Sequence, residues 1–218
     1  MTEELNILGS QDEPIDKVFT AANAISFVRL CLAPVSLCLL LLGHDVPATI
    51  LFAVTAATDF LDGQIARRTN TVSKIGQLLD PVVDRVLMIC GVVGVMAVGR
   101  LPVWIVVLVL VRDVFLLVGG TFLMREFRIR VPVIYAGKFA TTFLFVGIAG
   151  LMLNMPLVAG LGIVEVSWLP GLNHEICSWG IWFVYLGLIL GLFTTAYYVV
   201  KAVHKLSHND KQGVDDQR

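Results

Sequence analysis

An all-α integral membrane protein with six transmembrane helices is the fold class this sequence predicts, and three observations predict it. Of the 218 residues, 57% are hydrophobic and 15% charged, whereas a soluble domain carries about 45–50% apolar and about 25% charged residues. Six apolar runs can be marked off, each near the length of about 20 residues that a helix needs to cross a hydrocarbon core. Lys and Arg gather in alternate connections between these runs. Such a composition excludes intrinsic disorder and argues against a soluble globule. The formal net charge of -1 gives no ground for nucleic-acid binding.

The elements follow in order. Residues 1–14 form a polar N-terminus, and the polar, acidic stretch from Met1 to Asp16 does not read as a secretory signal. Ile15 to Ala22 is short and mixed, which suits an interfacial helix. The six runs then extend roughly over 23–43, 48–66, 75–99, 103–124, 138–155 and 176–200. Pro47, Pro102, Pro132 and Pro156 fall at or near the breaks, because proline cannot continue a helical hydrogen-bond ladder. Pro34 lies inside the first run and is expected to kink it. The membrane domain covers 15–203, and 204–218 is a polar C-terminal tail, expected to be disordered from Ser207 onward. Cys31, Cys38, Cys90 and Cys177 sit in apolar stretches without C-x-x-C spacing and read as small hydrophobes.

The basic residues orient the chain. With the N-terminus cytoplasmic, the inner segments hold Lys17, Arg67, Arg68, Lys74, Arg125, Arg128, Arg130, Lys138, Lys201, Lys205, Lys211 and Arg218; the outer ones hold only Arg100. The positive-inside rule therefore places both termini in the cytoplasm. Arg29, Arg85 and Arg112 remain within the spans.

Four carboxylates also lie within the spans: Asp59 and Asp62 in the second, Asp80 and Asp84 in the third. Each costs about 2.5–3.5 kcal/mol near a helix centre on insertion scales. Pairing with the buried arginines is one explanation. The spacing points to another, because Asp59, Asp62, Gly63, Ala66 and Arg67 recur at helical-face offsets and Gly76, Asp80 and Asp84 form an i, i+4, i+8 stripe. Two antiparallel neighbours joined by a short loop can bring these acidic faces together, with Gly63, Ala66 and Gly76 permitting close approach. Without a cation, the facing carboxylates would repel one another.

All four acids fall in the cytoplasmic half of the bilayer, near the cationic loop carrying Arg67, Arg68 and Lys74. Hard oxygen ligands reached from the cytosol suit Mg²⁺ or Mn²⁺. With no His or Cys in the group, zinc is disfavoured. An acid cluster, a divalent metal and a nearby Arg are the apparatus for a pyrophosphate-bearing substrate.

The pattern Asp59-x2-Asp62-Gly63-x2-Ala66-Arg67-x8-Gly76-x3-Asp80-x3-Asp84 resembles the signature of the CDP-alcohol phosphatidyltransferase family at every specified position. A chance match is expected on the order of once in 10⁹ placements at background residue usage. Thr20-x2-Asn23-x5-Arg29 is similar to the family's first transmembrane helix. The resemblance implies transfer of a phosphatidyl group from CDP-diacylglycerol to an acceptor hydroxyl with release of CMP, at a cytoplasm-facing site in the cell membrane. It also implies a homodimer. By that resemblance Asp59, Asp62 and Asp80 are metal ligands, and Asp84 is a further ligand or the general base. Asp59, Asp62, Gly63, Ala66, Arg67 and Gly76 would bind the CDP donor.

Arg112 and Lys138 are the candidates for an acceptor phosphate, although a neighbouring-helix Asp could equally pair with Arg112. The Leu79-Asp80-Pro81 and Asp84-Arg85 context resembles the phosphatidylglycerol and cardiolipin branch of the family. Arg112-Asp113 looks more like its cardiolipin-forming members, while family size favours glycerol 3-phosphate. Glycerol 3-phosphate is therefore the expected acceptor, with phosphatidylglycerol as the alternative. A cation transporter is a reading from another class, but an off-centre site, no detectable repeat and an Arg at the mouth argue against it. His204 and His208 read as a solvated pair. His44 and His174 stand without partners, and Trp168, Trp179 and Trp182 read as an interfacial aromatic belt.

Overall fold

A computed structural model describes residues 21–69, 74–126 and 135–215, and the side chains of 24–58, 82–119 and 135–201. Among the described residues six helices carry the fold: α1 (Ala21–Leu41), α2 (Asp45–Thr69), α3 (Lys74–Ala97), α4 (Val103–Glu126), α5 (Tyr135–Leu153) and α6 (Gly180–Asp215). The chain divides into two compact units, Met1–Gly94 and Val95–Arg218. Three segments of the described residues, Ala24–Leu41, Tyr135–Leu153 and Gly180–Lys201, are long and apolar enough to cross a membrane; α2 contributes a shorter apolar stretch, Asp45–Thr58.

In the first unit α1 ends on Gly43, whose φ of 81° is the left-handed conformation glycine adopts without penalty. Gly43 N–H donates to Leu40 O and His44 N–H to Leu39 O, closing the helix with a Schellman motif. Asp45 then opens α2, its negative charge matching the positive end of the helix dipole. The two helices pack along a seam of largely small residues. On α1 this is Ser26, Arg29, Ala33, Ser36 and Leu40, and on α2 it is Ala48, Phe52 and Thr55, all buried. Ser36 and Thr55 return their hydroxyls to carbonyls of their own helix, at 2.7 and 2.6 Å, so neither leaves a buried donor unmet. Gly94 of α3 lies against α1, where an added Cβ would stand 2.9 Å from Leu37 Cδ1. The helix continues through Pro34.

The second unit is built on a close α5–α6 crossing. A Cβ on Gly147 would lie 2.7 Å from Val184 N and 2.9 Å from Gly180 O, both backbone atoms. Ser178 Oγ donates to Gly150 O at 2.7 Å across the same crossing. Gly147→Leu is expected to destabilise the protein by about 1–3 kcal/mol, the usual cost of forcing side-chain volume into a filled contact. A denaturant titration in detergent checks this, and unchanged stability would mean that the crossing can widen freely. Arg100 bonds the last carbonyls of α5, Met152 O at 2.8 Å and Leu151 O at 3.3 Å. This basic residue of the outer connections thus caps a helix C-terminus, where a cation is favoured.

The α5–α6 connection contains two short strands that the sequence did not suggest, β1 (Leu157–Ala159) and β2 (Ile176–Ser178), paired antiparallel with Val158 opposite Cys177. Burial pushes the Cys177 thiol pKa up, so it stays protonated, and its Sγ donates weakly to Val158 O. Tryptophans collect here. Trp104 Nε1 donates to Trp168 O at 2.8 Å and Trp179 Nε1 to Met155 O at 3.0 Å, giving each indole a backbone acceptor.

A second correction concerns the C-terminus, where α6 runs on to Asp215 instead of giving way to disorder at Ser207. A helix already nucleated in an apolar span gains one hydrogen bond for each further residue, and no proline interrupts 201–215. The expected interfacial helix lies outside the described residues except for Ala21 and Ala22, which belong to α1. The outward faces of the helices are apolar. Val103, Val107, Val111, Val114 and Val118 follow one face of α4, each more than half exposed. Such a face suits lipid, in keeping with the three segments long and apolar enough to cross a membrane.

Candidate functional site

The signature divides between two helices. Asp59, Asp62, Gly63, Ala66 and Arg67 fall on α2, and Gly76, Asp80 and Asp84 on α3. Of their side chains only that of Asp84 is among those described. The helix bounds still give levels along the axes. At 1.5 Å per residue, Asp59 and Asp84 each lie about 15 Å from the helix ends that face the α2–α3 connection, Thr69 and Lys74. Asp62 and Asp80 lie about 9–10 Å from the same ends. Along their own helices the four acids therefore fall two by two at equal distances from the α2–α3 connection.

The buried α2 positions 48, 52 and 55 step by four and three, and the same progression continues at 59, 62 and 66. On α3, Asp84 is half-buried and shares a face with Leu87 and Met88, which are 1% and 2% exposed. A carboxylate flanked by core residues yet not sealed off can meet both a fixed ligand and an incoming substrate.

The donor set fits a hard divalent cation: four carboxylates, at i, i+3 on one helix and i, i+4 on the other, without sulfur or imidazole. Among the described residues no three His, Cys, Asp or Glu side chains are grouped to hold a metal. Three of the four signature aspartates lie outside those described side chains.

Arg112 and Lys138, the residues singled out for the acceptor, both belong to the second unit and have different surroundings. Arg112 is 7% exposed, and its Nη1 donates to Asp113 Oδ1 of the same helix at 2.7 Å. Among the described residues its counter-ion is thus its sequence neighbour. Its Nε–H has no hydrogen-bond acceptor among the described residues. Gly191 on α6 makes room for the guanidinium, since a Cβ there would stand 3.2 Å from Arg112 Nε. Beside it opens an apolar groove of about 920 Å³ lined by Val107, Val111, Phe115, Leu192 and Val199. Lys138 is exposed in the first turns of α5, its Nζ 5.9 Å from the Tyr135 ring centroid. No ion pair or hydrogen bond joins Lys138 to Arg112 among the described residues.

Sequence reasoning gave no role to Gly191 and no specific partner to Arg29. Gly191 carries no local signal, because its importance comes from the side chain opposite. Arg29 did carry one, as a charge eight residues into an apolar helix, and such a residue is a functional candidate by default. Its side chain is 1% exposed.

The sequence was also compared with known proteins. A family model described as CDP-alcohol phosphatidyltransferase matches residues 19–193. The chain is 36% identical over 132 residues to a protein named cardiolipin synthase (CMP-forming) from Streptomyces coelicolor, covering 58% of this chain and 61% of that one. It is 31% identical over 193 residues to a putative cardiolipin synthase from Mycobacterium tuberculosis, covering 87% of each. A CDP-diacylglycerol--glycerol-3-phosphate 3-phosphatidyltransferase from Aquifex aeolicus is 33% identical over 161 residues, 67% of this chain and 90% of that one.

Proposed function

The chain belongs to the CDP-alcohol phosphatidyltransferase family, and from that premise we propose that it transfers the phosphatidyl group of CDP-diacylglycerol to a hydroxyl of a glycerol-containing acceptor and releases CMP. The observation that carries this reading is the complete eight-residue signature, distributed over α2 and α3 with its acids two by two at equal distances from the connection between them.

In the proposed mechanism Asp59, Asp62 and Asp80 hold Mg²⁺ or Mn²⁺, with Asp84 as a further ligand or as the base. When bound, the ion neutralises charge on the pyrophosphate and so assists the departure of CMP. The protein's own groups do the remainder. Arg67 forks onto donor phosphate oxygens, and Gly63, Ala66 and Gly76 leave room for the nucleotide. Asp84 accepts the acceptor's hydroxyl proton as that oxygen bonds to the lipid-linked phosphorus. The bond from this phosphorus to the bridging oxygen breaks, and CMP carries the electron pair away.

Glycerol 3-phosphate is the first acceptor, in line with the sequence context, with Arg112 and Lys138 as its contacts. A specific observation favours phosphatidylglycerol as a second reading. Arg112 is already engaged by Asp113 and stands beside an apolar groove, a poor setting for a small dianion and a suitable one for an acyl-bearing molecule. The proposed topology has six spans with both termini cytoplasmic, the active site facing the cytoplasm, and a homodimer as the assembly.

Purified protein with Mg²⁺ should release CMP from CDP-diacylglycerol only when an acceptor is supplied. Offering glycerol 3-phosphate, phosphatidylglycerol, inositol phosphate and serine separately, and identifying each lipid formed, names the acceptor. No CMP with any of them, combined with cation flux into liposomes, would overturn the transferase reading in favour of a transporter.

A further inference from the structure

We propose that Arg29 is a positioning residue for the acidic cluster, set on α1 at the level shared by Asp59 and Asp84, where its guanidinium holds the carboxylates in register. Only the role of those aspartates is taken from the function proposed above; the placement of Arg29 stands on the packing of the first unit.

Two lines of packing fix the level. Helices α1 and α2 are joined by a tight turn at Gly43–His44, and their buried positions fall in pairs equidistant from His44: Leu40 with Ala48, Ser36 with Phe52, Ala33 with Thr55. In two antiparallel helices of equal rise, such pairs lie opposite one another. The next pairs in the progression are Arg29 with position 59 and Ser26 with position 62, and both Arg29 and Ser26 are 1% exposed. The second line comes from α3, which an up-down-up course through α2 would make parallel to α1. Gly94 lies against Leu37 and Leu40. Stepping back equally along both helices brings Asp84 to the level of residues 27–30 of α1. The two lines share no residue pair, and both arrive at Arg29.

Chemistry gives a reason for the placement. A fully buried guanidinium is costly without carboxylates to face it, and its planar fork can engage more than one. Groups that hold metal-binding carboxylates in place are commonly worth 10- to 100-fold in metal affinity.

Cysteine cross-linking tests the placement, in a full-length variant whose native cysteines are replaced. Arg29→Cys with Asp59→Cys should cross-link on mild oxidation, because disulfides need Cα atoms within about 7 Å. Arg29→Cys with Phe52→Cys should not, being about 10 Å out of level. Equal cross-linking of both pairs, or of neither, overturns the placement and leaves the transferase reading untouched. The role is tested by Mn²⁺ binding, followed by electron paramagnetic resonance in nanodiscs. Arg29→Gln is expected to weaken binding about 10-fold or more and to lower kcat with KM for the donor little changed. Arg29→Lys, which keeps the charge and loses the fork, should fall between and carries the test if Arg29→Gln does not fold. Unchanged Mn²⁺ affinity in the folded variant assigns Arg29 to packing alone and overturns the role. If the unsubstituted protein turns over no acceptor, the transferase reading fails, yet cross-linking and Mn²⁺ binding still decide Arg29.

Discussion

Asp84→Asn should lower CMP release by about 10²–10⁴-fold, the range that a positioned general base contributes, while donor binding largely survives. Asparagine keeps the size and one oxygen of the carboxylate but cannot take up the proton that the acceptor hydroxyl must lose. Among the four signature acids Asp84 is the one suited to this task, at the deeper level on α3 and half-buried beside Leu87 and Met88. A lipid-borne hydroxyl arriving from the bilayer side would meet it ahead of Asp80. The measurement is single-turnover CMP release alongside equilibrium binding of CDP-diacylglycerol. Full activity in the variant would remove Asp84 from the role of base. Loss of donor binding in parallel with turnover would instead make it a ligand.

The second large effect is expected on metal removal. A chelator should bring turnover to background, and added Mg²⁺ or Mn²⁺ should restore it. Electrostatic stabilisation by a bound divalent ion is worth several kcal/mol, and at 1.36 kcal/mol per decade this is on the order of 10³-fold in rate or more. Activity that persists in excess chelator would sink the assignment of Asp59, Asp62 and Asp80 as ligands.

The two results bear on different parts of the sequence. The acidic signature was legible because charge within an apolar segment is costly, so its residue types and offsets stand out against a background that carries almost none. The helices were legible for a related reason, since long apolar runs with polar breaks leave little other choice in lipid. Their ends were less so. Gly43 and Gly99 close α1 and α3 with the same pair of capping hydrogen bonds, and Asp45 starts α2 earlier than hydropathy alone suggests. The hairpin in the α5–α6 connection was not legible at all. Leu157 and Ser178 pair across a long loop, and neither strand exceeds three residues.

Tertiary packing also changed the meaning of single residues. Arg100, an exception to the charge asymmetry, caps α5 through Met152 O and Leu151 O. Arg112 draws its counter-charge from Asp113, the next residue, and its space from Gly191 on another helix. The cap and the space for Arg112 do not show in local sequence, because the carbonyls and the absent side chain that define them lie far along the chain.

The sequence by itself determined the class of protein, its family and the chemical nature of its site, since burial in lipid makes every retained charge informative whatever surrounds it. Only the tertiary structure decided where Arg29 is buried along the α1–α2 seam. That depends on the turn at Gly43, the small-residue seam between α1 and α2, and the seat of Gly94 against Leu37. The seam and the seat of Gly94 join residues distant in sequence, and with the turn they support the level proposed for Arg29 beside the aspartates.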